Sequence, residues 1–92
     1  MNRVRVCNFY SGRVQGVGFR ITVKSLTAGF EVVGNIRNLP DGRVALVAEG
    51  LRPELEALLV AIRESEIGGF IKQEASTWQE ARNDLKGFAI IG

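Results

Sequence analysis

Apolar and polar positions alternate at the start of the chain. In RVRVCNFY at 3–10, Val4 and Val6 fall on one face and Arg3 and Arg5 on the other. That period of two predicts a strand that begins half exposed. Phe19, Val23, Leu26 and Phe30 are then spaced by four, three and four, which is helical. Thr22, Val23 and Thr27 are mediocre helix formers, so packing must stabilise this helix more than propensity does. Gly29 is its expected terminator. VVGNIRNL at 32–39 leads into Pro40-Asp41-Gly42, and an Asp-Gly pair between apolar runs signals a hairpin. The partner strand is expected over 43–49, with Val44, Leu46 and Ala48 on one face and Gly50 ending it.

Pro53-Glu54 opens the clearest helix. Proline suits a first turn, and Leu55, Leu58, Leu59 and Ile62 follow the i, i+3, i+4, i+7 pattern. Gly68-Gly69 is expected to break it. Residues 70–79 predict a strand with no convincingly apolar face, which suits a sheet edge. Trp78 in it is expected to pack rather than to stack on a ligand. Residues 82–87 predict a polar turn, and Phe88 to Ile91 a short last strand. The order β, α, β, β, α, β predicts an α+β, ferredoxin-like sandwich: an antiparallel sheet with two helices on one face, with room for one short extra strand at the end. Many functions use that fold, so function must be read from a site.

The 92 residues fit a single domain spanning 1–92. Apolar residues make up 46% and charged residues 24%, the balance of a folded globular chain. Neither a signal segment nor a membrane span is legible, and Cys7 stands alone, so a cytoplasmic protein is expected. Cys7 reads as a small buried apolar residue. There is no histidine, which excludes Ser-His-Asp and Cys-His chemistry and, with one cysteine, ordinary structural zinc sites. Charge is uneven. Residues 1–43 hold seven Lys/Arg against Glu31 and Asp41, whereas 44–92 hold five against eight acids. A basic half suggests an anionic ligand on that side.

GRVQGVGFR at 12–20 sits between the first strand and the first helix. On these residues alone two readings stand. One is a glycine-rich connector with a surface arginine. The other is an anion cradle: glycines let successive N–H groups converge, the helix N-terminus adds positive potential, and Arg20 offers a planar fork. The nucleotide P-loop pattern fails, since no Lys-Ser/Thr follows. The dinucleotide fingerprint fails too, because Ile21 occupies its third glycine. A small phosphate-like group suits the stretch better than a nucleotide.

GRVQGVGFR resembles the signature of the acylphosphatase family, and VGNIRNLPDG at 33–42 is similar to that family's second block. Arg20 and Asn38 lie 18 positions apart, the family spacing. The resemblance implies hydrolysis of small acyl phosphates without metal or cofactor. It implies that the backbone N–H groups of Arg13, Val14, Gln15, Gly16, Val17 and Gly18, with the Arg20 guanidinium, hold the phosphoryl oxygens. Asn38 would position the attacking water, while Gln15 would contribute backbone only. Arg37 and Arg43 are expected to be solvated. Asn35 stands where the family has tryptophan, which implies a more polar pocket wall, and Phe30-Glu31 replaces the family's usual Leu-Gly helix end.

Two other functions compete. Acylphosphatase-like domains also occur inside larger carbamoyl-transfer maturation proteins, so a non-catalytic anion-binding regulatory module is the alternative. With no linker or second segment legible, a free-standing monomeric enzyme is expected. RNA-recognition domains share this topology, but RVALVAEG at 43–50 lacks the exposed aromatics they use, so no nucleic-acid partner is expected.

Overall fold

The computed structural model describes residues 2–92. Its elements are β1 (Arg3–Gly12), α1 (Phe19–Thr27), β2 (Val32–Asn38), β3 (Val44–Leu51), α2 (Arg52–Glu64), β4 (Ile71–Glu80) and β5 (Phe88–Ile91), with a single 3-10 turn at Gly68–Phe70. The strands form one sheet in the order β4-β1-β3-β2-β5. Val6 and Tyr10 of β1, Ile36 of β2, and Val44, Leu46 and Ala48 of β3 are fully buried on the face that meets the helices. Phe19 and Val23 of α1, and Leu55, Leu58, Leu59 and Ile62 of α2, close that core from above. The alternation in the strands and the helical spacing in α1 and α2 therefore converge on one apolar layer.

The sheet is mixed rather than purely antiparallel. β1 pairs antiparallel with β3 and β4, and β2 with β3, but β5 lies parallel to β2. The cause is the path between β4 and β5. β4 occupies one edge, so a further strand on the far edge must be reached by crossing four strand spacings, about 19 Å. Residues 81–87 can span about 24 Å when extended. They form this crossing instead of the expected polar turn. A chain that crosses at one end of the sheet returns opposite to β4, the direction in which β2 already runs.

The crossing is fastened on the sheet face away from the helices. Glu49 is fully buried there. Its carboxylate accepts from Arg5 Nε at 2.6 Å and from the backbone N–H groups of Arg82 and Asn83 at 2.9 and 3.0 Å. Arg5 also pairs with Asp84 at 3.1 Å. Burial alone would raise the Glu49 carboxyl. The Arg82 N–H, the Arg5 guanidinium and the Asn83 N–H outweigh it and hold the group below the usual carboxylate range.

Several local expectations shift. α1 ends at Thr27, ahead of Gly29, through three successive i→i+3 bonds. β3 runs through Gly50 to Leu51, and α2 starts at once at Arg52. α2 ends at Glu64, four residues before Gly68. Cys7 is not a core residue: it is half-buried on the open face, where Sγ accepts from Gln79 Nε2 at 3.4 Å. Trp78 packs as expected, with the Arg52 guanidinium 4.1 Å above its ring. Arg43 is not simply solvated, since it pairs with Asp41 at 2.8 Å and lies over Phe9 at 4.8 Å.

Candidate active site

The loop between β1 and α1 is anchored before and after the part that faces solvent. Val14 and Phe19 are buried, at 1% and 2% exposure, and the Phe19 ring packs on Tyr10 at 5.0 Å between centroids. Between these anchors Gly16 and Gly18 take φ values of 77° and 79°, in the left-handed region that disfavours any side chain with a Cβ. A Cβ there would meet open space, so conformation, not crowding, calls for glycine. The two left-handed turns keep the chain outside the helix until Gly18, whose carbonyl accepts the first helical bond from Thr22 at 3.0 Å.

The N-terminus of α1 has no side-chain cap and no acid in its first turn. Its early N–H groups are thus unpartnered among the described residues, and the helix dipole leaves positive potential there. The N–H groups of Val14, Gln15, Gly16, Val17 and Gly18 likewise make no hydrogen bond with any described residue. Arg13 departs from the expectation that its N–H faces an anion. Its N–H donates to the Phe70 carbonyl at 3.0 Å, closing the end of the β1–β4 ladder, and is not free for an anion.

Arg20, one position into α1, and Asn38, the last residue of β2, reach the same place. Together with Val14, Gly16, Gly18, Phe19 and Ile21 they line a cleft of about 170 Å³. That is smaller than the pockets of roughly 300 Å³ and above that take drug-sized ligands, and it suits a small one. Arg20 is the only charged side chain lining it among the described residues. Its Nη1 donates to the Gly92 backbone oxygen at 3.4 Å. Asn38 Oδ1 is buried without a hydrogen-bond partner among the described residues. A buried amide oxygen in that state calls for a donor from outside the chain, such as a water or a ligand.

Three features were not expected from sequence. Ile21 lines the cleft and is 71% exposed. Its signal was an apolar residue lying off the Phe19–Val23–Leu26 stripe. The Gln15 side chain is turned away from the cleft and donates to the Leu39 and Arg43 carbonyls at 2.8 and 3.0 Å. Asn35 is not part of the cleft wall at all. It points to the open sheet face, one position out of phase with Ile36 and Asn38, and aligns with Val47 and Ala89. The position where asparagine replaces tryptophan therefore lies on the sheet surface, outside the cleft lining.

The comparisons with known proteins agree with this geometry. The sequence profile of the acylphosphatase family matches residues 7–90. An acylphosphatase of Nocardia farcinica (strain IFM 10152) is 41% identical over 85 residues, which cover 92% of this chain and 85% of the relative. The crystal structure of acylphosphatase from Bacillus subtilis superposes with a TM-score of 0.88 at 27% identity, over 97% of this chain and 99% of that one. The crystal structure of full-length HypF in its phosphate- and nucleotide-bound form matches 98% of this chain with only 12% of its own, at 26% identity and a TM-score of 0.80. With a family profile that spans most of its length and a relative this similar over nearly all of it, this chain belongs to the acylphosphatase family.

Proposed function

We propose that residues 1–92 form one domain that hydrolyses the carboxyl-phosphate bond of small acyl phosphates, giving carboxylate and inorganic phosphate. The observation that carries this reading is the unpartnered Asn38 Oδ1, buried in the same cleft as Arg20 and an uncapped helix N-terminus. The phosphoryl group is held by the N–H groups of Val14 to Gly18 and by the Arg20 fork. These donors stabilise charge on the equatorial oxygens as the bond to the leaving group breaks. Asn38 Oδ1 accepts a hydrogen bond from a water and so aims the water's lone pair at phosphorus. The water oxygen bonds to phosphorus, the phosphorus–oxygen bond to the acyl group breaks, and the carboxylate leaves with that electron pair. The water's proton passes to a phosphate oxygen of the substrate. A carboxylate leaves readily, so no strong protein base is required, which agrees with a sequence that has no histidine.

The reading extends to a cytoplasmic monomer that acts on a free small molecule, without cofactor or nucleic acid. No helix among the described residues is long and apolar enough to cross a membrane. On the open sheet face Phe9 is the one aromatic side chain among the described residues, and Arg43 already lies over it, which argues against base stacking there.

The test is phosphate release from benzoyl phosphate. Arg20→Ala and Asn38→Ala are each expected to lower kcat/KM by about a hundredfold or more. Full activity in either variant overturns the assigned roles. Tight phosphate binding by a wild-type protein without turnover would instead favour a non-catalytic anion-binding module, a reading supported by the match to one-eighth of the HypF chain.

A further inference from the structure

We infer that Gln15 is a positioning residue that sets the distance between the phosphate cradle and the water-aiming Asn38; this rests on the hydrolase reading above. Its Nε2 donates both protons, to the Leu39 carbonyl at 2.8 Å and the Arg43 carbonyl at 3.0 Å. Both partners are acceptors only, so the group facing them is the NH2 and not the amide oxygen. Leu39 is the neighbour of Asn38, and its own N–H is bonded to the Arg43 carbonyl at 2.8 Å. One side chain thus clamps the neck of the β2–β3 hairpin at the point where Asn38 emerges.

The clamp answers a problem specific to this loop. A loop that binds an anion through its amides must leave those amides unbonded, and so cannot hold its own shape with them. Among the described residues the backbone bonds at 13–18 are the Arg13 N–H to Phe70 before the cradle and the Gly18 carbonyl to Thr22 after it. Between those points the Gln15 amide makes the only two side-chain hydrogen bonds that reach out of the loop among the described residues. It ties the loop to the β2–β3 hairpin without using a single cradle N–H. Because the far end of the bond is the residue next to Asn38, the same contact ties the phosphorus position to the water position. Misplacement of a nucleophile by about 1 Å can cost on the order of a hundredfold in rate.

Two variants separate this role from loop stability. Gln15→Met keeps length and loses both donors; Gln15→Asn keeps the amide and falls one methylene short. For each, kcat with benzoyl phosphate is expected to fall by roughly ten- to a hundredfold, while inhibition by inorganic phosphate changes by less than about threefold, since cradle and Arg20 persist. A kcat equal to wild type, or a parallel loss of kcat and phosphate affinity, overturns the inference. In the wild-type protein the Gln15 side-chain NH2 protons should exchange slowly with solvent by NMR; fast exchange overturns it even if neither variant folds. A wild-type protein inactive on acyl phosphates defeats the hydrolase reading itself, whereas an active wild type with fully active variants defeats only the role of Gln15.

Discussion

Replacing Glu49 by Gln tests whether the fold depends on the charge that fastens the crossing segment. The substitution preserves volume but replaces one acceptor oxygen by an NH2. That group then faces donors: Arg5 Nε and the Arg82 and Asn83 N–H groups now compete for a single oxygen. Arg5 keeps its charge with its side chain only 10% exposed, and its remaining partner Asp84 is 62% exposed and screened by water. Removing one member of a buried pair costs about 3–5 kcal/mol, because the other charge is left uncompensated. With residual help from Asp84 we expect a loss near the lower end, about 3 kcal/mol, from a total of about 5–15 for a domain. At about 4–8 °C per kcal/mol for a chain of this size, Tm should fall by about 12–24 °C.

The pH profile gives a second reading of the same change. The folded state holds the Glu49 carboxyl below its usual range. Its contribution is therefore fully present above the unfolded carboxylate pKa, about 4.3, and is lost as pH falls through the lower folded value. Chemical denaturation of wild type and Glu49→Gln between neutral pH and pH 3 should show the gap between them narrowing on the acid side. A loss under about 1 kcal/mol at neutral pH, or a gap that does not change with pH, would refute the view that a buried charge fastens the crossing.

Two further substitutions address the loop and the core. Gly18→Ala has room for its methyl but must hold φ near 79°; it should cost about 1 kcal/mol in urea denaturation and lower activity by re-aiming the loop, and wild-type stability with wild-type activity would count against the left-handed geometry. Tyr10→Phe removes a buried hydroxyl that has no partner among the described residues, so Tm should hold or rise by the equivalent of about 1 kcal/mol, and a drop would show that the hydroxyl is bonded.

What the sequence made legible follows from how local each signal is. Leu55, Leu58, Leu59 and Ile62 are all buried, because a helical period is written within eight residues. β4 was harder, since its inner face is polar. Glu74 there is held by a two-oxygen contact from Arg63, with a shortest distance of 2.7 Å, and accepts from the buried Asn8 at 3.1 Å. Ser76 Oγ donates to Asn8 Oδ1 beside it. Polar residues on an inward face look like exposure until their partners, up to 68 positions away, are known. The crossing at 81–87 looks like a turn in sequence for the same reason, although one trace of it is present: Glu49 is the single charge in the apolar run VALVAEGL.

The same distinction separates what was readable in the site from what was not. Arg20, Asn38 and the glycines are legible as a motif because the proposed phosphate-holding role and the left-handed φ at Gly16 and Gly18 each restrict the residue types that fit. The engagement of the Arg13 N–H and of the Gln15 side chain is not legible in the motif, because both are fixed by distant carbonyls: Phe70 for one, Leu39 and Arg43 for the other. These contacts also change what the glycines mean. A glycine-rich loop suggests flexibility, yet this one is seated by Val14 and Phe19, bonded before and after, and clamped in its middle. The glycines permit one unusual backbone path, and the rest of the fold enforces it. A site that binds through dipoles needs that arrangement, since donors that must reorganise around the transition state lose much of their advantage over water.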